Sequence, residues 1–106
     1  VHITGGGFYD NIPRVLPEGT AVEVDIEAWP RPAIFSLLQE WGNVAWPEMY
    51  RTFNMGIGMI LVVPEAQAQA VMDDLAQRGE TCYRIGSVVA GNGEVTLKGG
   101  EFDHDR

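Results

Sequence analysis

Cysteine is nearly absent from this chain: Cys82 stands alone, which excludes an intramolecular disulfide, and no Cys/His spacing resembles a zinc site. No metal ligand set is expected here, and a reducing, cytoplasmic compartment is the simplest home for such a composition. Basic residues are scarce as well. Seven Lys and Arg stand against fifteen Asp and Glu, a net charge of -8. That balance argues against a broad nucleic-acid surface, which must neutralise many phosphates at once, although a few cations suffice for a single phosphate. Long hydrophobic runs are missing too. Ile57 to Val63, interrupted by Gly58, is the longest apolar stretch and falls far short of the roughly 20 residues that cross a bilayer. No membrane partner is therefore expected, and nothing reads as a signal peptide.

An initiator Met is also lacking, and an apolar run begins at Val1. The expectation is a domain cut from a longer chain. With 106 residues, 45% of them hydrophobic, the chain has the size of one modest domain, expected over residues 1–98 and followed by a frayed tail over 99–106.

Periodicity then supplies the elements. Val1 and Ile3 alternate with His2 and Thr4 ahead of three glycines, which predicts a short strand and a tight loop. A helical turn follows, with Asp10 or Asn11 as cap, Pro13 near its opening, and Pro17 and Gly19 as stops. Val22, Val24 and Ile26 alternate with Glu23, Asp25 and Glu27, the pattern of a half-buried strand. Ile34, Leu37, Leu38 and Trp41 share one face of a helix that Gly42 and Asn43 should end. Met55 to Val63 reads as a strand buried on both faces, where Gly56 and Gly58 leave room for a close neighbour. Pro64 and Glu65 open a second helix carrying Ala68, Val71, Met72 and Leu75 on one face, with Gly79 as terminator. Finally, Cys82 to Val89 and Glu94 to Lys98 look like strands of a hairpin turned by Gly91-Asn92-Gly93. The fold class is α+β: a mixed β-sheet with helices packed on it.

Two stretches carry chemistry. In HITGGGFYDNIPR, three glycines between a strand and a helix start expose backbone N–H groups with no Cβ in the way, beside a favourable helix dipole. A phosphate fits such a place. Gly5, Gly6 and Gly7 would supply amides, Thr4 and Asn11 neutral hydrogen bonds, and Arg14, folded back, a charged one. The competing reading is a plain glycine turn, since neither a Walker loop nor a dinucleotide fingerprint is present. In EMYRTFNMGIGM, Arg51, Thr52 and Asn54 gather polar donors suited to a ribose phosphate or an amidine. Arg51 could equally pair with a surface carboxylate. His2 is a weak acid–base candidate, with no nucleophile or carboxylate placed beside it by sequence; His104, between Asp103 and Asp105, reads as a solvated surface residue.

HITGGGFYDNIPRVLP and EMYRTFNMGIGM, in this order and separation, with AIFSLLQEWGNV between them, closely resemble stretches from the C-terminal half of aminoimidazole ribonucleotide synthetases, the phosphoribosylformylglycinamidine cyclo-ligases. The resemblance runs from Val1 to about Val89, and Asp10 stands where that family more often has Glu. It implies an ATP- and Mg²⁺-dependent conversion of formylglycinamidine ribonucleotide to aminoimidazole ribonucleotide in purine synthesis, by a homodimeric enzyme. It also implies that ATP and Mg²⁺ are held mainly by an N-terminal domain, so that this chain alone should be inactive and should contribute the substrate-phosphate site. The rival readings are another ATP-dependent enzyme of the same superfamily, or a non-catalytic small-ligand module.

Overall fold

The computed structural model describes residues 1–100 and 102. The predicted α+β class is what it shows: four helices and a mixed three-stranded sheet around one core. Helix α1 (Gly7–Asn11) runs into a 3-10 turn (Ile12–Val15), followed by β1 (Thr20–Asp25), α2 (Ala33–Gly42), α3 (Trp46–Thr52), α4 (Glu65–Gln77), β2 (Gly86–Ala90) and β3 (Val95–Lys98).

Strand β1 forms because its branched residues alternate: Val22 and Val24 are buried, while Asp25 faces solvent and Glu23 pairs with Lys98 at 3.0 Å. It is the central strand. β2 pairs with it antiparallel, Val88 opposite Val22, and β3 pairs parallel, Leu97 opposite Val24. The terminal hairpin predicted from Gly91-Asn92-Gly93 is therefore not formed. Those residues carry the chain around the start of β1, where the Gly91 N–H donates to Gly19 O (3.1 Å) and the Gly93 N–H to Thr20 O (2.7 Å). Covering both edges of β1 and burying Leu97 against Val24 outweighs the local preference for a tight turn.

The inner face of the sheet meets α1 and α3. Phe8, Ile12, Met49, Tyr50 and Met55 are each at most 1% exposed, and Phe8 stacks on Tyr50 (5.5 Å between centroids) with Trp29 edge-on to it (5.8 Å). The Trp29 indole N–H donates to Met55 O at 3.1 Å, so the largest ring of the core leaves no polar atom unpaired.

Helix stops follow the sequence. Asn43 adopts φ 49° after α2, with the Val44 N–H on Gln39 O, and Gly79 (φ 84°) ends α4, with the Glu80 N–H on Leu75 O. Faces follow less well. In α2, Trp41 is 74% and Ile34 51% exposed, because the helix is rotated so that Phe35 packs on Phe53 (5.8 Å) and Leu38 turns inward. Met55 to Val63 is not a strand buried on both faces: Met55 is buried, but Met59, Leu61 and Val62 are exposed. It makes a short antiparallel contact with the first residues, through Ile3 N–H to Gly58 O (2.8 Å) and Ile60 N–H to Val1 O (2.7 Å) around a single bridge of His2 with Met59. Beyond β3, where composition predicts a frayed tail, Gly99 is buried and the Phe102 ring packs on Tyr50 at 5.5 Å. Residues 101 and 103–106, His104 among them, lie outside the described residues.

Candidate functional site

The glycine loop is held from beneath by one side chain. Asn11, 2% exposed, donates from Nδ2 to Gly7 O (2.8 Å), Thr4 O (3.1 Å) and Gly5 O (3.4 Å), and its Oδ1 accepts from Thr4 Oγ1 (3.1 Å). An amide has two N–H donors, so this set consumes them. Asn11 and Thr4, expected to offer donors to a phosphate, instead spend them inside the loop. Nor does Asn11 or Asp10 cap the helix: α1 begins at Gly7 with no side-chain cap, on the left-handed Gly6 (φ 95°).

The fold requires glycine at two of the three positions. A Cβ on Gly7 would lie 1.9 Å from Tyr50 O and 2.9 Å from the Arg51 Cα, so the start of α1 is pressed onto the end of α3. Gly6 is required by its positive φ, and a Cβ there would meet the Asp10 side chain at 2.6 Å. Gly5 has neither constraint. Its φ is ordinary, and nothing lies within 4 Å of where its Cβ would be. The Gly7 N–H closes onto Thr4 O (2.9 Å), whereas the N–H groups of Gly5 and Gly6 make no backbone hydrogen bond among the described residues.

Because α1 packs on α3, Arg51 in the last turn of α3 reaches the loop. Its guanidinium lies over the Tyr9 ring (4.8 Å), with Nε 3.3 Å from Glu48 Oε1 and Nη1 3.8 Å from Asp10 Oδ1. Burial pushes the Tyr9 phenol above its usual pKa, Arg51 pulls it back, and Glu48 adds to the rise. The phenol therefore stays neutral, and its ring offers Arg51 an uncharged face.

The other expected site residues fall as follows. Arg14 is exposed on the 3-10 turn and makes no ion pair among the described residues. Thr52 is exposed at the end of α3. Asn54 builds a turn: its Oδ1 accepts the Gly56 N–H (2.9 Å), which supports Met55 (φ 54°) and Gly56 (φ 100°) in left-handed conformations. The neighbour admitted by Gly56 is Pro32, 2.6 Å from a built Cβ, rather than a ligand. The His2 side chain is exposed and has no hydrogen-bond or ion-pair partner among the described residues.

Arg51 does meet surface carboxylates, the alternative the sequence left open, but their identity as Asp10 and Glu48, the Tyr9 ring and α3 itself were not read from it. The available signals were Trp46, Met49, Tyr50 and Phe53 at i, i+3, i+4 and i+7, Pro47 at the first helical positions, Glu48 in the first turn and Arg51 in the last. A depression of about 270 Å³ lies elsewhere, against Leu16, Pro17, Gly19, Asn92 and Gly93, and its lining includes no cation. Among the described residues, no three His, Cys, Asp or Glu gather as a metal site would require, and no helix is long and apolar enough to cross a membrane.

The arrangement leaves two backbone amides without a backbone partner among the described residues, and one cation over Tyr9 on the helix that follows them. Comparison with known proteins shows the family of the chain. Residues 1–98 match the family model described as AIR synthase related protein, C-terminal domain. The chain is 52% identical over 102 residues to a phosphoribosylformylglycinamidine cyclo-ligase of Brevibacillus brevis, covering 96% of this chain and 30% of that protein. It is 51% identical over 94 residues to that of Shouchella clausii (89% and 27%) and 50% over 98 residues to that of Staphylococcus saprophyticus (92% and 29%). The chain thus spans under a third of the length of these curated relatives.

Proposed function

The chain belongs to the AIR synthase related C-terminal domain family, and from that premise we propose that residues 1–98 form the substrate-binding domain of an ATP-dependent phosphoribosylformylglycinamidine cyclo-ligase. The whole enzyme would convert formylglycinamidine ribonucleotide to aminoimidazole ribonucleotide, as a cytoplasmic homodimer. Bound ATP with Mg²⁺ supplies the phosphoryl group that activates the substrate amide for ring closure. No carboxylate cluster that would hold the cation gathers among the described residues, and we assign ATP and Mg²⁺ to the part of the enzyme outside this chain. The chain alone is accordingly proposed to be inactive.

The part played by this chain is to hold the ribose phosphate of the substrate. Gly5 and Gly6 present their amides, Arg51 supplies the charge, and Thr4 and Asn11 keep the loop in shape while Gly7 lets α1 and α3 meet. Arg14 and Thr52 stand at the periphery, available to a ligand that fills the open side, and Asn54 shapes the turn after α3. His2 carries no catalytic assignment. A doubly charged phosphate meets Asp10 and Glu48 as well as Arg51, whose single charge offsets only one of the two carboxylates, so the phosphate must draw the Arg51 donors away from them.

One observation carries this reading: Gly5 is a glycine that the fold does not need. In the full-length enzyme, Gly5→Val should therefore fold normally while its side chain covers the amides. Losing one charge-assisted hydrogen bond, worth about 1.5 to 3 kcal/mol, should raise the substrate KM by roughly 10- to 100-fold, with KM for ATP little changed. Steady-state kinetics in both substrates, with circular dichroism and thermal melting as the folding control, checks this. A stable Gly5→Val enzyme with the parent KM would reduce the loop to a turn.

A further inference from the structure

We propose that Tyr9 is a positioning residue for substrate phosphate, holding the Arg51 guanidinium beside the glycine loop by the face of its ring; this rests on the phosphate-site reading above. Three groups surround Arg51, and they differ in what they can fix. Asp10 and Glu48 are more than half exposed (54% and 58%), and their closest contacts are 3.8 and 3.3 Å. Exposed ion pairs of that kind contribute little and leave the planar guanidinium free to rotate. The Tyr9 ring, its centroid 4.8 Å from Arg51 Cζ, instead gives the guanidinium a broad face to rest on, which holds the group in place without using its N–H donors.

Tyr9 is itself held. It is half-buried on α1, next to Phe8, which is fully buried and stacked on Tyr50 at 5.5 Å. A short helix anchored so firmly by one residue cannot turn the next one away. The same five-residue element therefore follows directly from the loop that carries the amides and carries the ring that holds the cation. The ring stacks with either ion-pair partner present or absent, so when a phosphate draws donors away from Asp10 and Glu48, Arg51 changes partners without changing place. Asp10 and Glu48 are then the ligands that the phosphate displaces, and Tyr9 is the contact that persists.

The test uses the full-length enzyme with Tyr9→Phe, Tyr9→Leu, Arg51→Ala and the double variant Tyr9→Leu/Arg51→Ala. Substrate KM, kcat and the inhibition constant of inorganic phosphate competing with substrate are measured, with circular dichroism on each variant. Tyr9→Phe keeps the ring and should retain the parent values. Tyr9→Leu should raise both substrate KM and the phosphate inhibition constant about three- to fivefold, with kcat nearly constant. In the double variant, Tyr9→Leu should add nothing to Arg51→Ala, because a ring with no cation to hold has no further effect. If Arg51→Ala weakens phosphate but Tyr9→Leu does not, or if the two effects simply add, the positioning role is wrong while the phosphate site stands. If Tyr9→Phe behaves like Tyr9→Leu, the hydroxyl rather than the ring is at work and the inference is likewise overturned. If Arg51→Ala leaves both constants unchanged, the site reading fails and takes this inference with it. Should Tyr9→Leu fail to fold, Tyr9→Trp replaces it: a larger ring face should hold phosphate affinity at or above the parent level, and a loss would contradict the proposal.

Discussion

Gly7→Ala is expected to destabilise the domain by about 3 kcal/mol or more, the upper end of what overpacking a rigid site costs. The added methyl would lie 1.9 Å from Tyr50 O and 2.7 Å from its carbonyl carbon, and neither atom can move without α3. That helix is fixed in turn by Met49 and Tyr50, both fully buried. The backbone at Gly7 is also left-handed, φ 60°, which costs an L-residue about 1 to 2 kcal/mol in its own right. Urea unfolding of the full-length protein, followed by fluorescence of the buried Trp29, measures the change. A Gly7→Ala protein within 1 kcal/mol of the parent would mean that α1 and α3 do not meet as described. Gly5→Ala is the internal control, since a methyl there meets nothing within 4 Å.

Asn11→Asp should be nearly as damaging although the two side chains have the same shape. The carboxylate would point an acceptor at Gly7 O (2.8 Å) and Thr4 O (3.1 Å), where Nδ2 now donates, at a site only 2% exposed. Two acceptors face each other, and the buried charge has no cation and keeps only the Thr4 hydroxyl as donor, which costs about 3 kcal/mol. Asn11→Ala removes the donors without adding charge and should cost less, about 1 to 3 kcal/mol for the carbonyls left unsatisfied. The order Asp worse than Ala, read from denaturation midpoints, distinguishes a clasp from a mere space-filler; the reverse order would contradict the clasp.

How much of this was legible in the sequence depends on whether the signal was local. The alternation of Val22, Val24 and Ile26, and the stops at Asn43 and Gly79, are local, and each appears in the structure as read. Helix α3 is seven residues long and buries two adjacent residues, Met49 and Tyr50. Trp46, Met49 and Tyr50 do stand at i, i+3 and i+4, with Phe53 at i+7, but two turns fall short of the window over which helical periodicity separates from a polar and aromatic connection. The Gly91-Asn92-Gly93 segment has hairpin chemistry, yet its strands separate to opposite edges of β1, a choice made by a strand some 70 residues earlier. Local propensity holds no record of it.

The site divides along the same line. The glycine run and Arg51 were each legible in the sequence as candidate parts of the phosphate site proposed above. That α1 and α3 bring the two together through Gly7, with Tyr9 beneath the guanidinium, is tertiary. So is the fact that Asn11 faces inward. An Asn near a helix start reads equally well as a cap, a ligand or a clasp, and only the positions of the surrounding carbonyls decide.

The account rests most heavily on Gly5 and Gly6 donating to a phosphate, and amide NMR of the full-length enzyme observes those two protons directly. Titration with formylglycinamidine ribonucleotide should move the Gly5 and Gly6 N–H resonances downfield and saturably, as expected for hydrogen bonds to an anion, while the dephosphorylated nucleoside should leave them in place. Shifts confined to other residues, or equal shifts with and without the phosphate, would contradict the phosphate site.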